Sequence, residues 1–283
     1  MLAYDPDAVD RLRHYRELVH RKQSQALPLK DLLPHQQPPE GEWEGWIIQA
    51  GRGAGKTAGI ARFVTDHVNG PPCIKGDMPH KMALVAPKLS DAVESADRHP
   101  VCLRTLNPGG RLQTKPGGTI FTFPNGSEMK LFGVYTHRDV EALRAGGNNC
   151  LVWVEELAAW PYLAEGWDQM QLGLRIGPNP QWVGSSTPKR RKKYKEIIED
   201  PHVRVSRAHL NDNPHLTDGF KDRILRMYGN TSLARQEVAG ELVDDVDGAL
   251  WTHDQIDASR WKWDEPALGR VIVGVDPPDR DWE

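Results

Sequence analysis

The segment Ala50-Gly51-Arg52-Gly53-Ala54-Gly55-Lys56-Thr57 sets a lysine and a hydroxyl directly behind a run of glycines. Glycines let successive backbone N–H groups curl toward an anion, and a helix starting there adds the positive end of its dipole. This spacing predicts a phosphate-binding loop, with Ala50 in the first glycine position. Gly51, Arg52, Gly53, Ala54 and Gly55 are expected to line the phosphates. Lys56 would reach the β- and γ-phosphates, and the Thr57 hydroxyl would ligate Mg²⁺.

Hydrolysis also needs a carboxylate in the metal shell and a base to orient water, both at the end of a neighbouring strand. Leu151-Val152-Trp153-Val154-Glu155-Glu156 supplies that pattern. Glu155 is expected as the metal ligand and Glu156 as the catalytic base; an acidic helix cap is the other reading of the pair. Ser185-Ser186-Thr187-Pro188 closes a later apolar run, where Thr187 is placed to sense a γ-phosphate or simply to make a turn. Gln36 and Gln37, upstream of the glycines, have amides that suit an adenine edge, so ATP is the expected nucleotide and Gln37 is assigned to it. Arg144, just before the acidic strand, is a candidate arginine finger for a neighbouring subunit, and Arg52 is its rival from within the loop. Lys189, Arg190, Arg191, Lys192 and Lys193 form a cationic run suited to sequence-blind phosphate contacts, or to a solvated face. Cys73, Cys102 and Cys150 show no paired spacing, and the histidines show no metal motif, so neither set is assigned a role.

These groups need strands and helices to hold them. Trp46–Ala50, Met82–Ala86, Cys150–Val154 and Gln181–Ser185 are short apolar runs of the kind buried on both faces of a parallel sheet. Ile60, Phe63, Val64 and Val68 share a face of the helix expected after the glycines. Thr119–Phe123 and Glu128–Val134 flank Asn125-Gly126, a hairpin signal. Ser90 is expected to cap a helix, Lys192–Glu199 to form a basic one, and Phe220, Ile224, Leu225 and Tyr228 to share a face of another. A further helix is read at the N-terminus from Val9 to Val19, and one at Ser232–Ala239. Prolines 28, 34, 38 and 39 predict an extended lead-in.

A chain of 283 residues can bury about 75% of its unfolded surface, so it needs no disulfide scaffold. With 27% charged residues it is not disordered as a whole, and its odd cysteine count suits a reducing compartment. No apolar run of membrane-spanning length occurs. A net charge of −3 excludes a chain that is basic throughout, but not a local basic stripe.

Taken together, GRGAGKT (Gly51–Thr57), LVAPK (Leu84–Lys88), FPNGSEMKLF (Phe123–Phe132), VWVEELAAWPY (Val152–Tyr162), the run from Gly166 to Lys189, DNPHL (Asp212–Leu216), LARQEVAGEL (Leu233–Leu242) and GALW (Gly248–Trp251) resemble the large terminase subunit of tailed bacteriophages. The resemblance implies an α/β P-loop NTPase fold: three α/β/α layers around a mostly parallel sheet, with a small C-terminal helical subdomain. It implies residues 1–208 as the ATPase core, 209–247 as the helical linker subdomain, and 248–283 as the start of an RNase H-like nuclease domain. VIVGVDP (Val271–Pro277) resembles that domain's first strand, with Asp276 at its metal-binding aspartate. A two-metal site needs carboxylates from several strands, so no nuclease activity is expected of this chain. The implied function is an ATP-driven motor moving double-stranded DNA into a prohead in the host cell cytoplasm, with portal protein and small terminase subunit as partners and a homo-oligomeric ring as the working form. A helicase-like ATPase and a non-catalytic interaction fragment are the competing readings. Two residues depart from the family pattern: Glu155 stands for the usual Asp, and Ala145 for a Gly after Arg144.

Overall fold

The computed structural model describes residues 32–76, 78–145 and 147–228, together with Gly240, Trp251 and Ser259. The expected N-terminal helix, the helix at Ser232–Ala239 and the strand ending at Asp276 lie outside the described residues. The chain divides into two compact units, Met1–Asp244 and Asp245–Glu283. In the second, the described residues are Trp251, which is exposed, and Ser259.

Among the described residues, the first unit is built on eight strands: β1 (Gly45–Ala50), β2 (Lys81–Ala86), β3 (Arg111–Lys115), β4 (Gly118–Thr122), β5 (Glu128–Gly133), β6 (Leu151–Val154), β7 (Gln181–Ser186) and β8 (Val203–Ala208). They form one sheet in the order β3-β4-β5-β2-β6-β7-β1-β8. The pairings from β5 to β8 are parallel, and β3-β4 and β4-β5 are antiparallel. Trp46, Ile47 and Ile48 are fully buried, as the continuous apolar run of β1 requires of a strand covered on both faces. Each such side chain contributes roughly 2 kcal/mol by leaving water.

The helices are α1 (Lys56–Asn69), α2 (Leu89–Val93), α3 (Leu103–Leu106), α4 (His137–Ala145), α5 (Leu163–Gly173), α6 (Lys192–Ile198) and α7 (Asp218–Tyr228). Apolar cores lie on opposite sheet faces, which gives three layers. One joins Ile60, Val64 and Val68 of α1 and Leu103 of α3 to Trp46, Ile48, Leu84 and Trp153. The other joins Val140 of α4, Trp167 of α5 and Ile197 of α6 to Ile47, Val85, Val154 and Trp182. The expected layered α/β architecture is thus observed.

Some local expectations change. Ser90 does not cap α2: the helix begins at Leu89, and the Asp91 carboxylate accepts from the Lys88 N–H (3.1 Å) instead. A single π turn, Glu94–Arg98, continues that helix. The proline-rich lead-in contains a short 3₁₀ turn, Pro34–Gln36, which buries His35 and Gln36. Strands β3 and β8 had no apolar run to announce them, because both are edges of the sheet and carry outward charges such as Arg111 and Arg204.

Candidate functional site

The glycine-rich loop joins the C-terminal end of β1 to the N-terminus of α1. Gly53 and Gly55 sit at φ +79° and +80°, the left-handed region that favours glycine. A Cβ on Gly55 would stand 2.4 Å from the Gln36 amide nitrogen, so side chain and backbone both demand glycine there.

The loop is braced from outside itself. His35 Nε2 donates to the Ala54 carbonyl (2.8 Å), Gln36 Nε2 to that of Gly55 (2.9 Å) and Asn213 Nδ2 to that of Gly53 (2.6 Å). Leu210, Leu216 and Phe220 close over Gly53. Gln36 is therefore the glutamine that touches the loop. Gln37 is exposed and its amide donates to the Leu32 carbonyl (3.1 Å). Asn213 belongs to the DNPHL segment. Its part in the loop was not readable from the sequence, since the bond spans 160 positions.

Lys56 is buried and donates to the Ala50 and Gly51 carbonyls (2.9 and 3.1 Å) and to Thr187 Oγ1 (3.1 Å). Its ammonium also lies 3.3 Å from Glu156 Oε1. Glu156 in turn accepts from the Thr187 N–H (2.8 Å) and hydroxyl (3.3 Å). These groups meet because β1, β7 and β6 are parallel neighbours that end on the same side of the sheet, so their C-terminal loops converge. Lys56, Glu156 and Thr187 thus come together, as the sequence pattern anticipated. Thr57, half-buried, is the second residue of α1.

Glu156 has φ +45° and ψ +53°, an unusual backbone state for a non-glycine residue that costs on the order of 1–2 kcal/mol. Hydroxyls from β7 hold the turn: Ser185 accepts from the Glu156 N–H (3.4 Å) and Ser186 from the Ala158 N–H (3.0 Å). Glu155 points into the protein, where its carboxylate accepts from the Trp153 indole (2.8 Å), while the Trp160 indole donates to its carbonyl (3.0 Å). The two tryptophans are fittings of this turn as well as core packing, a role that composition alone did not reveal.

The two carboxylates titrate in opposite directions. Burial, followed by repulsion from Glu156, pushes Glu155 up to about 7 despite the indole bond. Burial would also raise Glu156, but the Lys56 charge and the Thr187 bonds outweigh it and hold that carboxyl below its ordinary value. Both anions draw on the Lys56 ammonium. A divalent cation suits such a donor set, since it would supply further positive charge.

The arginines and the basic run are placed as follows. Arg144 is two-thirds exposed on α4 and pairs with Glu141 at 3.3 Å. Arg52 is exposed in the loop. Lys189, Arg190 and Lys192 are exposed. Arg191 departs from the expected stripe. Its guanidinium turns inward onto carbonyls of the loop after β6, donating to Ala158 (3.5 Å), Trp160 and Pro161 (3.0 Å). Lys193 leans 3.6 Å from Asp168 of α5.

Comparison with known proteins adds the family context. Residues 47–258 match the family model described as terminase large subunit, T4likevirus-type, N-terminal. No curated protein sequence matches the chain. Among solved structures, the large terminase from a thermophilic bacteriophage superposes with a TM-score of 0.56 at 14% identity, covering 77% of this chain and 50% of that one. The same phage protein in complex with ADP gives 0.56 at 15% identity, with the same coverage. The large terminase ATPase domain of Thermus phage P74-26 gives 0.51 at 16%, covering 72% of this chain and 90% of that domain. These likenesses show a shared fold. The chain spans about half the length of the thermophilic phage terminase that it matches.

Proposed function

The chain belongs to the family of T4likevirus-type terminase large subunits, matching its N-terminal part, and from that premise we propose that it hydrolyses ATP to drive double-stranded DNA into a prohead. The observation that carries this reading is the meeting of Lys56, Glu156 and Thr187 at the ends of three adjacent parallel strands, beside a glycine loop shaped for phosphate.

In the proposed reaction, Lys56 holds the β- and γ-phosphates, with the loop N–H groups of Gly51 to Gly55 around them. Glu156 orients a water for in-line attack on the γ-phosphorus and accepts its proton. Thr187 registers whether Glu156 and Lys56 are paired with each other or with nucleotide. Thr57 and Glu155 would hold Mg²⁺, which would neutralise charge developing on the phosphoryl oxygens. The longer glutamate at position 155 suits this role when its proton leaves. Arg144 or Arg52 supplies the further cation that the transition state requires, the former only from a neighbouring copy in a ring.

Residues 1–208 form the catalytic core under this reading, 209–247 the linker that covers the loop through Asn213, and 248–283 the start of a nuclease domain carrying Asp276. Lys189, Arg190 and Lys192 are the proposed DNA contacts. Portal protein and small terminase subunit are the proposed partners. ATP hydrolysis by the purified chain, assayed with and without Mg²⁺ and double-stranded DNA, tests the reading. Mg²⁺-dependent turnover stimulated by DNA is expected, and turnover that Lys56→Ala leaves intact would overturn it.

A further inference from the structure

At the opposite end of the sheet from the phosphate loop, four side chains from separate segments converge. His67 lies in the last turn of α1, Cys73 in the loop that follows, His80 immediately before β2 and Cys150 immediately before β6. Their nitrogen and sulfur atoms all lie within 4.8 Å of one another. His67 Nε2 is 3.4 Å from Cys150 Sγ and 3.8 Å from Cys73 Sγ, and His80 Nδ1 is 3.9 Å from Cys150 Sγ.

We propose that His67, Cys73, His80 and Cys150 form a structural Zn²⁺ site. Two thiolates and two imidazoles are a complete tetrahedral set for zinc, with no position left open for a substrate. Zn–S bonds of ~2.3 Å and Zn–N bonds of ~2.0–2.1 Å place neighbouring donors roughly 3.3–3.8 Å apart at tetrahedral angles. The separations found here need to tighten by only a few tenths of an ångström. Soft sulfur paired with imidazole disfavours Mg²⁺ and Ca²⁺, which take oxygen ligands.

Other features of the cluster point the same way. His80 and Cys150 are buried, His67 and Cys73 half-buried, and His80 Nε2 has no hydrogen-bond partner among the described residues. The loop is already folded around the cluster by the Cys73 and Ile74 N–H groups, both donating to the Pro79 carbonyl at 3.0 Å. Burial also keeps the His67 imidazole neutral to about pH 4, leaving its lone pair available. Binding would release the two thiol protons, so it strengthens as pH rises.

Such an ion would pin the far end of α1 to the starts of β2 and β6, which are paired strands. The proposal stands apart from the ATPase reading. It rests on none of the groups assigned to nucleotide.

The test is metal content and cobalt spectroscopy on the full chain. Protein purified with a thiol reductant and dialysed should hold one Zn²⁺ per chain by elemental analysis. Stripped with a strong chelator and titrated with Co²⁺, it should develop the thiolate-to-cobalt and tetrahedral ligand-field absorptions, saturating at one equivalent. Cys73→Ser combined with Cys150→Ser should lose both signals, whereas Cys102→Ser should keep them, since Cys102 instead lies 3.4 Å from the Thr105 hydroxyl. Chelator should lower the thermal midpoint of the wild type and leave that of the double variant unchanged. Absence of metal from reduced wild-type protein offered Zn²⁺, full retention of Zn²⁺ by the double variant, or a Cys73–Cys150 disulfide in protein that takes no Co²⁺ when reduced would each overturn the proposal.

Discussion

Lys56 Nζ lies 3.3 Å from Glu156 Oε1, so the ammonium at the head of α1 is already satisfied by a carboxylate from the end of β6. Any phosphate entering the loop must take Lys56 from Glu156, and doing so frees Glu156 to face water. Lys56→Ala is expected to weaken nucleotide binding and abolish turnover. Glu156→Gln should retain binding, while cutting turnover by ~10²–10⁴, the usual worth of a positioned base. Calorimetric affinity measured beside steady-state hydrolysis separates the two.

Glu155 makes stability depend on pH. Its carboxyl titrates near 4.5 in the unfolded chain and at about 7 when folded, so between those values the native state holds the extra proton. Stability from this group is therefore present at low pH and declines as pH rises toward 7. Glu155→Gln should raise the unfolding free energy above pH 7 by up to ~3 kcal/mol in metal-free buffer, and should make little difference at pH 4. Mg²⁺ with nucleotide should narrow the gap by stabilising the wild type alone. Thermal melts across pH, with and without Mg²⁺, read both effects.

Asn213 Nδ2 closes a 2.6 Å bond on the Gly53 carbonyl. Asn213→Ala leaves that acceptor short of a partner, a loss of about 1–3 kcal/mol. The cost should appear as weaker nucleotide affinity and a lower melting temperature together. Asn213→Asp should be worse than alanine, because it replaces the donor by an anion beside a carbonyl.

The basic run splits into two groups with different expected phenotypes. Neutralising Lys189, Arg190 and Lys192 should leave folding intact and flatten the salt dependence of DNA binding by about one log unit for every phosphate that is no longer neutralised. Arg191→Ala should instead destabilise the loop after β6 and slow hydrolysis even without DNA. An unchanged salt slope after the triple substitution would leave these three as a solvated face.

Arg144 and Arg52 are distinguished by concentration. If Arg144 acts from a neighbouring copy, specific activity rises with protein concentration, Arg144→Ala lowers it by ~10³ or more, and mixing that variant with Glu156→Gln restores part of it. Turnover that is independent of concentration and abolished by Arg52→Ala assigns the role to the loop arginine.

Much of this arrangement could be read from the sequence, for a physical reason. Strands buried on both faces, such as Trp46–Ala50 and Leu151–Val154, must be apolar throughout, and a phosphate loop must have its glycines at fixed offsets from lysine. The edge strands β3 and β8 escaped because solvent tolerates charge on one face. The braces from His35, Gln36 and Asn213 escaped because residues that meet across a long stretch of chain leave no local trace. The cluster of His67, Cys73, His80 and Cys150 escaped for the same reason: its ligands come from separate places in the fold, with no short spacing to mark them.

Arg191 gives the molecule a mechanical property. One guanidinium, anchored on carbonyls between Ala158 and Pro161, ties the segment carrying the exposed cations to the turn that holds Glu156 in its left-handed state. Tension on Lys189, Arg190 or Lys192 is therefore borne by that turn, and hydrolysis should be sensitive to applied load.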